Sequence, residues 1–301
     1  MVDPGWQVVQ TAITHFFTYS SAFSTSFLHK ELKLAIKTYP PRVMNLQYLR
    51  QKLGHARFSD SIKQWDTEQQ REFWNDWNSV HLQAETLGEE ALRRARKVLE
   101  LVQGLSLPAQ PRILEVGCAN GWFSEWLLKV GNVYGIDLSD VSIEEAKRRL
   151  PRAQFLADDV LSVNLLERYF DLVVSLETIS HVADQPRFVK VIAETLRPGG
   201  YLVIATQNRP IYSRRSNIAP PAEGQLRHWL ARKELVSLLK PYFRCLKVLT
   251  IEPAGDLGFM RIVDSPKLNS AFERVLSKET IKSIKERLGF GQTLIVVAEK
   301  K

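Results

Sequence analysis

Cysteine is almost missing from this chain, with two residues in 301, Cys118 and Cys245. So few cannot build a disulfide scaffold or supply the roughly four ligands of a zinc site, and a reducing, cytoplasmic setting is expected. Long apolar runs are missing too. No window reaches the roughly 18 uninterrupted apolar residues of a membrane span, and the first residues lack the basic start and apolar stretch of a signal peptide. The expectation is a protein neither embedded in a membrane nor secreted. There are no internal repeats and no low-complexity tracts. The polar bias of a disordered chain is also absent, because 45% of residues are hydrophobic and 25% charged. Such a chain folds and buries a core.

The net charge is +8, and residues 209–301 carry the excess, with 18 Lys and Arg against 9 Asp and Glu. Two readings stay open: a surface for an anionic substrate or RNA, and a solvated helical face.

Along the chain, residues 1–57 mix Thr, Ser and Phe around Pro40-Pro41 and read as an extension. Apolar residues then recur at helical spacing in Ile62, Trp65, Phe73, Trp77 and Val80, and again in Ala91, Ala95, Val98, Leu99 and Val102, which predicts two helices in a cap over 58–110. After Pro108 short β-rich runs alternate with helical ones. Strands are predicted at 112–116, 133–137, 154–157, 170–175 and 201–206, with helices at 122–129, 142–150, 161–168 and 184–196. Parallel strands need such crossovers, so 111–301 reads as a doubly wound α/β domain. Ser142 and Glu145 have capping-box spacing, Asp184 is placed to cap the helix carrying Pro186, and Pro198-Gly199-Gly200 is expected to stop it. Beyond Asn208 come a polar stretch to Arg227, a helix at 232–239, strands at 246–251 and 293–298, and insertions that suit a substrate cap.

The run Ile113-Leu114-Glu115-Val116-Gly117-Cys118-Ala119-Asn120-Gly121-Trp122 is a strand ending in an acid, then a small-residue turn, then a helix. Small residues let backbone approach a ligand, and a helix start leaves amide groups free. A nicotinamide fingerprint would need glycines at 119 and 122, which are Ala and Trp. Asp137 closes the second strand, followed by Leu138, and Asp158-Asp159-Val160 closes the third. Ligands of open α/β sheets sit at the carboxyl ends of strands, so three tips converge on one nucleoside.

In these motifs, and in the turn Arg197-Pro198-Gly199-Gly200, the chain resembles the class I S-adenosylmethionine-dependent methyltransferases. The resemblance implies a Rossmann-like sheet of seven mostly parallel strands with the last antiparallel, helices on both faces, and S-adenosylmethionine as cofactor. It places the methionyl part against Gly117, Ala119 and Gly121, with Glu115 and Cys118 beside them. The ribose falls to Asp137 and the adenine to Asp158 and the Asp159 backbone, with Leu138, Val160 and Ser175 completing the pocket.

The segment Val174–Val182 should face the methyl group. It lacks an Asn/Asp-Pro-Pro-aromatic signature, and neither cysteine follows a proline here, which leaves a small-molecule acceptor, most simply a hydroxyl. The loop is similar to that of ubiquinone-biosynthesis-type O-methyltransferases, where Glu-x-x-Glu-His can bind a divalent ion. Glu177 and His181 match, but Ser180 replaces the second acid, so no metal is expected. His181 is the candidate general base, with packing as its alternative role. Trp65, Trp74, Trp77 and His81 form either a lid or plain helix packing. Glu177 is a candidate acceptor contact, and Tyr212, Arg214, Arg215 and His228, with Arg209 and Arg227, form either a grip for a carboxylate or phosphate of the acceptor or an exposed, flexible loop. An RNA methyltransferase and a catalytically silent subunit of the same fold remain alternatives; RNA-binding appendages are missing, so nucleic acid is not the expected partner. The oligomeric state is not legible.

Overall fold

The computed structural model describes residues 66–81, 88–222 and 224–301. The chain divides into the units Met1–Asp60 and Ser61–Lys301, and every described residue belongs to the second. The predicted extension, Trp65, and the side chains of Val80 and His81 lie outside the described residues.

Two helices, α1 (Thr67–His81) and α2 (Glu89–Gln103), precede the sheet. The sheet then alternates with helices as β1 (Arg112–Val116), α3 (Ser124–Leu127), β2 (Asn132–Asp137), α4 (Asp140–Arg149), β3 (Gln154–Ala157), β4 (Phe170–Leu176), α5 (Gln185–Thr195) and β5 (Leu196–Gln207). After the short α6 (Arg209–Tyr212) come α7 (Arg232–Leu239), β6 (Phe243–Pro253), α8 (Met260–Val263), α9 (Pro266–Phe272), α10 (Lys278–Arg287) and β7 (Gly291–Lys300). The strand order is β3-β2-β1-β4-β5-β7-β6, with β7 antiparallel to both of its neighbours.

Period-two alternation explains why both sheet faces are covered. Val173, Leu202, Ile204, Leu294 and Val296 point to the face packed by Phe188, Ile192 and Leu235 of α5 and α7. Their neighbours Leu172, Val174, Val203, Ala205 and Ile295 point to the face packed by Ala95, Val98 and Val102 of α2 and by Phe123. Strands apolar on both faces need helices on both sides.

Four local expectations are revised. No helix forms over 161–168. Leu161, Val163 and Leu165 are half-buried while Ser162, Asn164 and Leu166 are exposed, so the run has a period of two, and it proceeds as turns. The helix expected at 122–129 shortens to α3, because the residues after it make three-residue bonds, Lys129 N donating to Trp126 O at 3.2 Å and Val130 N to Leu127 O at 2.8 Å. Ser139, not Ser142, caps α4, its side chain accepting from Ser142 N. Finally, α5 ends at Thr195 rather than at the Pro-Gly-Gly turn. Leu196 already pairs with Phe170, and Arg197–Gly200 bulges out before Tyr201 pairs with Leu172. Pro198 lacks the N–H a ladder needs and Gly199 takes φ +71°, which suits a bulge. Asp184 does cap α5, accepting from Arg187 N at 2.9 Å.

Candidate cofactor and acceptor site

A cavity of about 850 Å³ opens at the carboxyl ends of β1, β2, β3 and β4. At its β1 rim the turn runs through three left-handed residues, Gly117 (φ +76°), Ala119 (φ +46°) and Gly121 (φ +74°). Position 117 has no room for a side chain, since a Cβ there would lie 1.9 Å from Thr178 Oγ1. Thr178 is itself fixed, donating to Val116 O at 3.0 Å. Ala119 N donates to Asp137 Oδ2 at 2.8 Å and Ser139 N to Asp137 Oδ1 at 2.9 Å. Those bonds hold the carboxylate at the cavity wall, and its burial raises its pKa above the ordinary value. A carboxylate has about four acceptor positions, so capacity for a diol remains. Asp158 and Asp159 line the adjoining wall with Leu138 and Val160, and Asp158 N donates to Asp137 O at 3.0 Å.

Of the residues expected at the cofactor, Gly117, Ala119, Asp137, Leu138, Asp158, Asp159 and Val160 line the cavity, while Glu115, Cys118, Gly121 and Ser175 stand behind it. Glu115 is 2% exposed and accepts from Ser124 Oγ. Burial pushes its pKa up to about 8. Cys118 is fully buried, and that burial carries its thiol well above the usual range. Ser175 lies wholly within β4. A carboxylate at the cavity wall with acceptor capacity to spare, beside a left-handed small-residue turn that brings backbone to the cavity rim, fits a nucleoside cofactor carrying an extended chain.

Helix α1 covers this half. Arg71 donates to Leu138 O at 2.8 Å, Asn78 to Ser142 Oγ at 2.6 Å, and Ser139 Oγ to Asn75 Oδ1 at 2.8 Å. Its Phe73, Trp74 and Trp77 line the cavity.

The other half centres on His181, at the end of a 3-10 turn (Ile179–His181) after β4. Its Nδ1 lies 2.9 Å from Leu226 O, and Trp74 meets the ring edge-on at 4.8 Å between centroids. A carbonyl only accepts, so Nδ1 carries the proton and Nε2 presents a lone pair. Burial lowers the pKa, keeping the ring neutral. Glu177, at φ +61°, faces Arg94 of α2 at 3.6 Å. Neither Arg94 Nε nor Glu177 Oε1 has a hydrogen-bond partner. Burial raises the Glu177 pKa while Arg94 opposes the rise.

Tyr212 also lines the cavity, whereas Arg214, Arg215 and His228 do not. Arg215 is bound to Glu90 at 3.2 Å and to Gln292. Arg214 lies over Phe259 at 4.6 Å and donates to Pro210 O. His228 is exposed, and its N–H donates to Ser180 O at 2.7 Å. Sequence reasoning missed Arg94, Thr178 and Gln207, which line the cavity. Arg94 was legible: it falls on the apolar stripe of α2, three residues after Ala91 and four before Val98, where a charge needs a partner. Thr178 and Gln207 carried no such signal. Among the described residues no group of three His, Cys, Asp or Glu is placed to hold a metal ion.

A family model for a methyltransferase domain matches residues 89–249. A ubiquinone biosynthesis O-methyltransferase of Brucella anthropi is 30% identical over 158 residues, 51% of this chain and 61% of that protein. A probable S-adenosylmethionine-dependent methyltransferase of Mycolicibacterium smegmatis is 30% identical over 102 residues, 34% of this chain and 40% of that protein. The chain thus spans about half the length of the curated relatives it matches. Among solved structures, the [4+2]-cyclase SpnF is similar with a TM-score of 0.57 at 17% identity, covering 79% of this chain and 98% of that one. An S-adenosylmethionine-dependent methyltransferase of Thermotoga maritima gives 0.51 at 21% identity, covering 77% and 98%. These two likenesses concern the fold, which one of the neighbours puts to cyclisation. The family match extends over more than half of the chain and includes the turn after β1 and the tips of β2 and β3, and the chain belongs to the class I S-adenosylmethionine-dependent methyltransferases.

Proposed function

We propose that this protein methylates a small molecule at a hydroxyl oxygen, with His181 as general base. The observation that carries this reading is the 2.9 Å contact of His181 Nδ1 with Leu226 O. It fixes the tautomer, so that Nε2 is the ring nitrogen left to accept a proton. S-adenosylmethionine supplies a methyl group already activated by its sulfonium. The chain's own task is then to bind, orient and take one proton. Asp137 holds the ribose diol and Asp158 the adenine edge, while the 117–121 turn lets backbone close on the methionyl part. With the cofactor bound, the methyl carbon would pass from sulfur to the acceptor oxygen, leaving S-adenosylhomocysteine, and His181 Nε2 would take the hydroxyl proton. The Trp74 edge excludes water from the imidazole, which favours a base that is neutral below its ordinary pKa. Such a weak base suits an acidic hydroxyl, and the wall of Phe73, Trp74 and Trp77 suits a flat acceptor.

The test is transfer of labelled methyl to a panel of phenols, aliphatic alcohols, amines and RNA. Label on hydroxyl oxygen of a small molecule is the expected result. Label appearing solely on amines or RNA would overturn the reading.

A further inference from the structure

The C-terminal insertion between β6 and β7 does not behave like the rest of the molecule. Of the fourteen large apolar residues exposed among the described residues, nine fall within 257–288. Helix α9 buries none of its residues. Leu268 (39% exposed), Phe272 (48%), Val275 (84%) and Leu276 (36%) follow one another at i, i+4, i+7 and i+8, and Leu276 N still bonds to Phe272 O at 2.9 Å beyond the helix end. That spacing sets an apolar stripe along one side of α9 and its last turn. A stripe of this kind in contact with water is unfavourable unless something covers it.

Charge identifies the cover. Arg261, Lys267 and Arg274 interleave with the apolar positions, and none makes an ion pair among the described residues. By contrast Asp264 is engaged by Lys285 at 2.9 Å, and Glu273, the acid between Phe272 and Arg274, is paired with Lys278 at 3.9 Å. The surface is thus apolar with unpaired cations beside it and its nearest anions neutralised. Long basic side chains flanking a shallow apolar stripe are the composition that seats at the headgroup boundary of an anionic bilayer, where the stems lie with the acyl chains and the charges meet phosphate. No described helix is long and apolar enough to cross a membrane, so the contact is peripheral.

We propose that residues 257–276 dock this protein on an anionic phospholipid surface. The segment is also wired to the cavity. Asp256 N and Leu257 N both donate to Arg214 O, at 2.9 and 3.1 Å, and Arg214 lies over Phe259. Ser216 N donates to Asp256 Oδ1 at 2.8 Å, and the chain then runs directly into Asn217–Pro220, which lines the cavity. Arg214 thereby joins the docking surface to the wall of the acceptor half.

The test uses the full chain and vesicles of phosphatidylcholine alone or mixed with phosphatidylglycerol, read by co-sedimentation. Binding to the anionic vesicles only, weakened by salt, is expected. Lys267→Glu with Arg274→Glu should weaken it by roughly fivefold or more per residue, and Phe272→Ser with Val275→Ser by at least about tenfold. All four positions are exposed, and retained S-adenosylhomocysteine binding checks that the variants are folded. The proposal is overturned if the wild type binds no vesicles, if both variants bind as well as the wild type, or if Phe272→Ser instead abolishes self-association seen in sedimentation equilibrium.

Discussion

His181 is held by a carbonyl at Nδ1 and shielded by Trp74, so its protonation state is set before any acceptor arrives. The expected consequence is a fall in kcat of about 10²–10⁴-fold for His181→Gln with S-adenosylhomocysteine affinity unchanged. Because burial lowers the imidazole pKa, the acid limb of kcat/KM should have its midpoint below the ordinary value of about 6.5. A midpoint above that value would contradict the neutral tautomer. Glu115 makes the opposite shift, with a folded value near 8 against an ordinary 4.5. The folded state then binds more protons than the unfolded one between those pH values, so stability falls as pH rises through this window. Glu115→Gln has nothing to ionise, and its melting temperature should decline less than that of the wild type from pH 5 to 8.

At the scale of elements, the turn after β1 and the loop after β4 are built against each other. Gly117 has both a left-handed φ and Thr178 in the place of a side chain. Gly117→Ala is therefore expected to lose S-adenosylhomocysteine binding by calorimetry, and trimming Thr178 to Ser should not restore it, because the hydroxyl is the nearest atom and the φ penalty persists. At the opposite end of β4, Asp171 accepts from Arg112 N at 2.8 Å and from Arg197 Nε at 2.6 Å. Burial raises its pKa, but these bonds outweigh it and hold the carboxylate below its ordinary value. Its contribution is present above about pH 4 and lost on acidification. Asp171→Ala should cost about 2 kcal/mol at neutral pH in denaturant unfolding, with the bulge at 197–200 loosened first.

For the molecule as a whole, a ligand that binds only the folded chain stabilises it by mass action. S-adenosylhomocysteine at 100 times its Kd should add about 2.7 kcal/mol to the wild type, and the corresponding rise in Tm should vanish in Asp137→Ala. The excess positive charge of 209–301 also takes on meaning only at this scale. Some of it is consumed internally, as where Arg215 meets Glu90 and Lys285 meets Asp264. Arg261, Lys267 and Arg274 are left facing outward beside an apolar stripe.

The sequence by itself determined the strands, most helices and the cofactor turn, because their signals are local. A period of two, a period near 3.6, an acid at a strand tip and a small-residue turn act within a few residues of each other. Where a local pattern misled, at 161–168, the apolar residues alternate, and the misreading was one of period. Tertiary structure alone decided which side chains meet. Arg94 reaches Glu177 because α2 packs on the face of the sheet where β4 ends. Leu226 O selects the tautomer of His181 from across a loop, and Arg215 turns to Glu90 rather than to the cavity. These are encounters between residues distant in the chain, settled by which helices cover which sheet face, and no property of a short window encodes them.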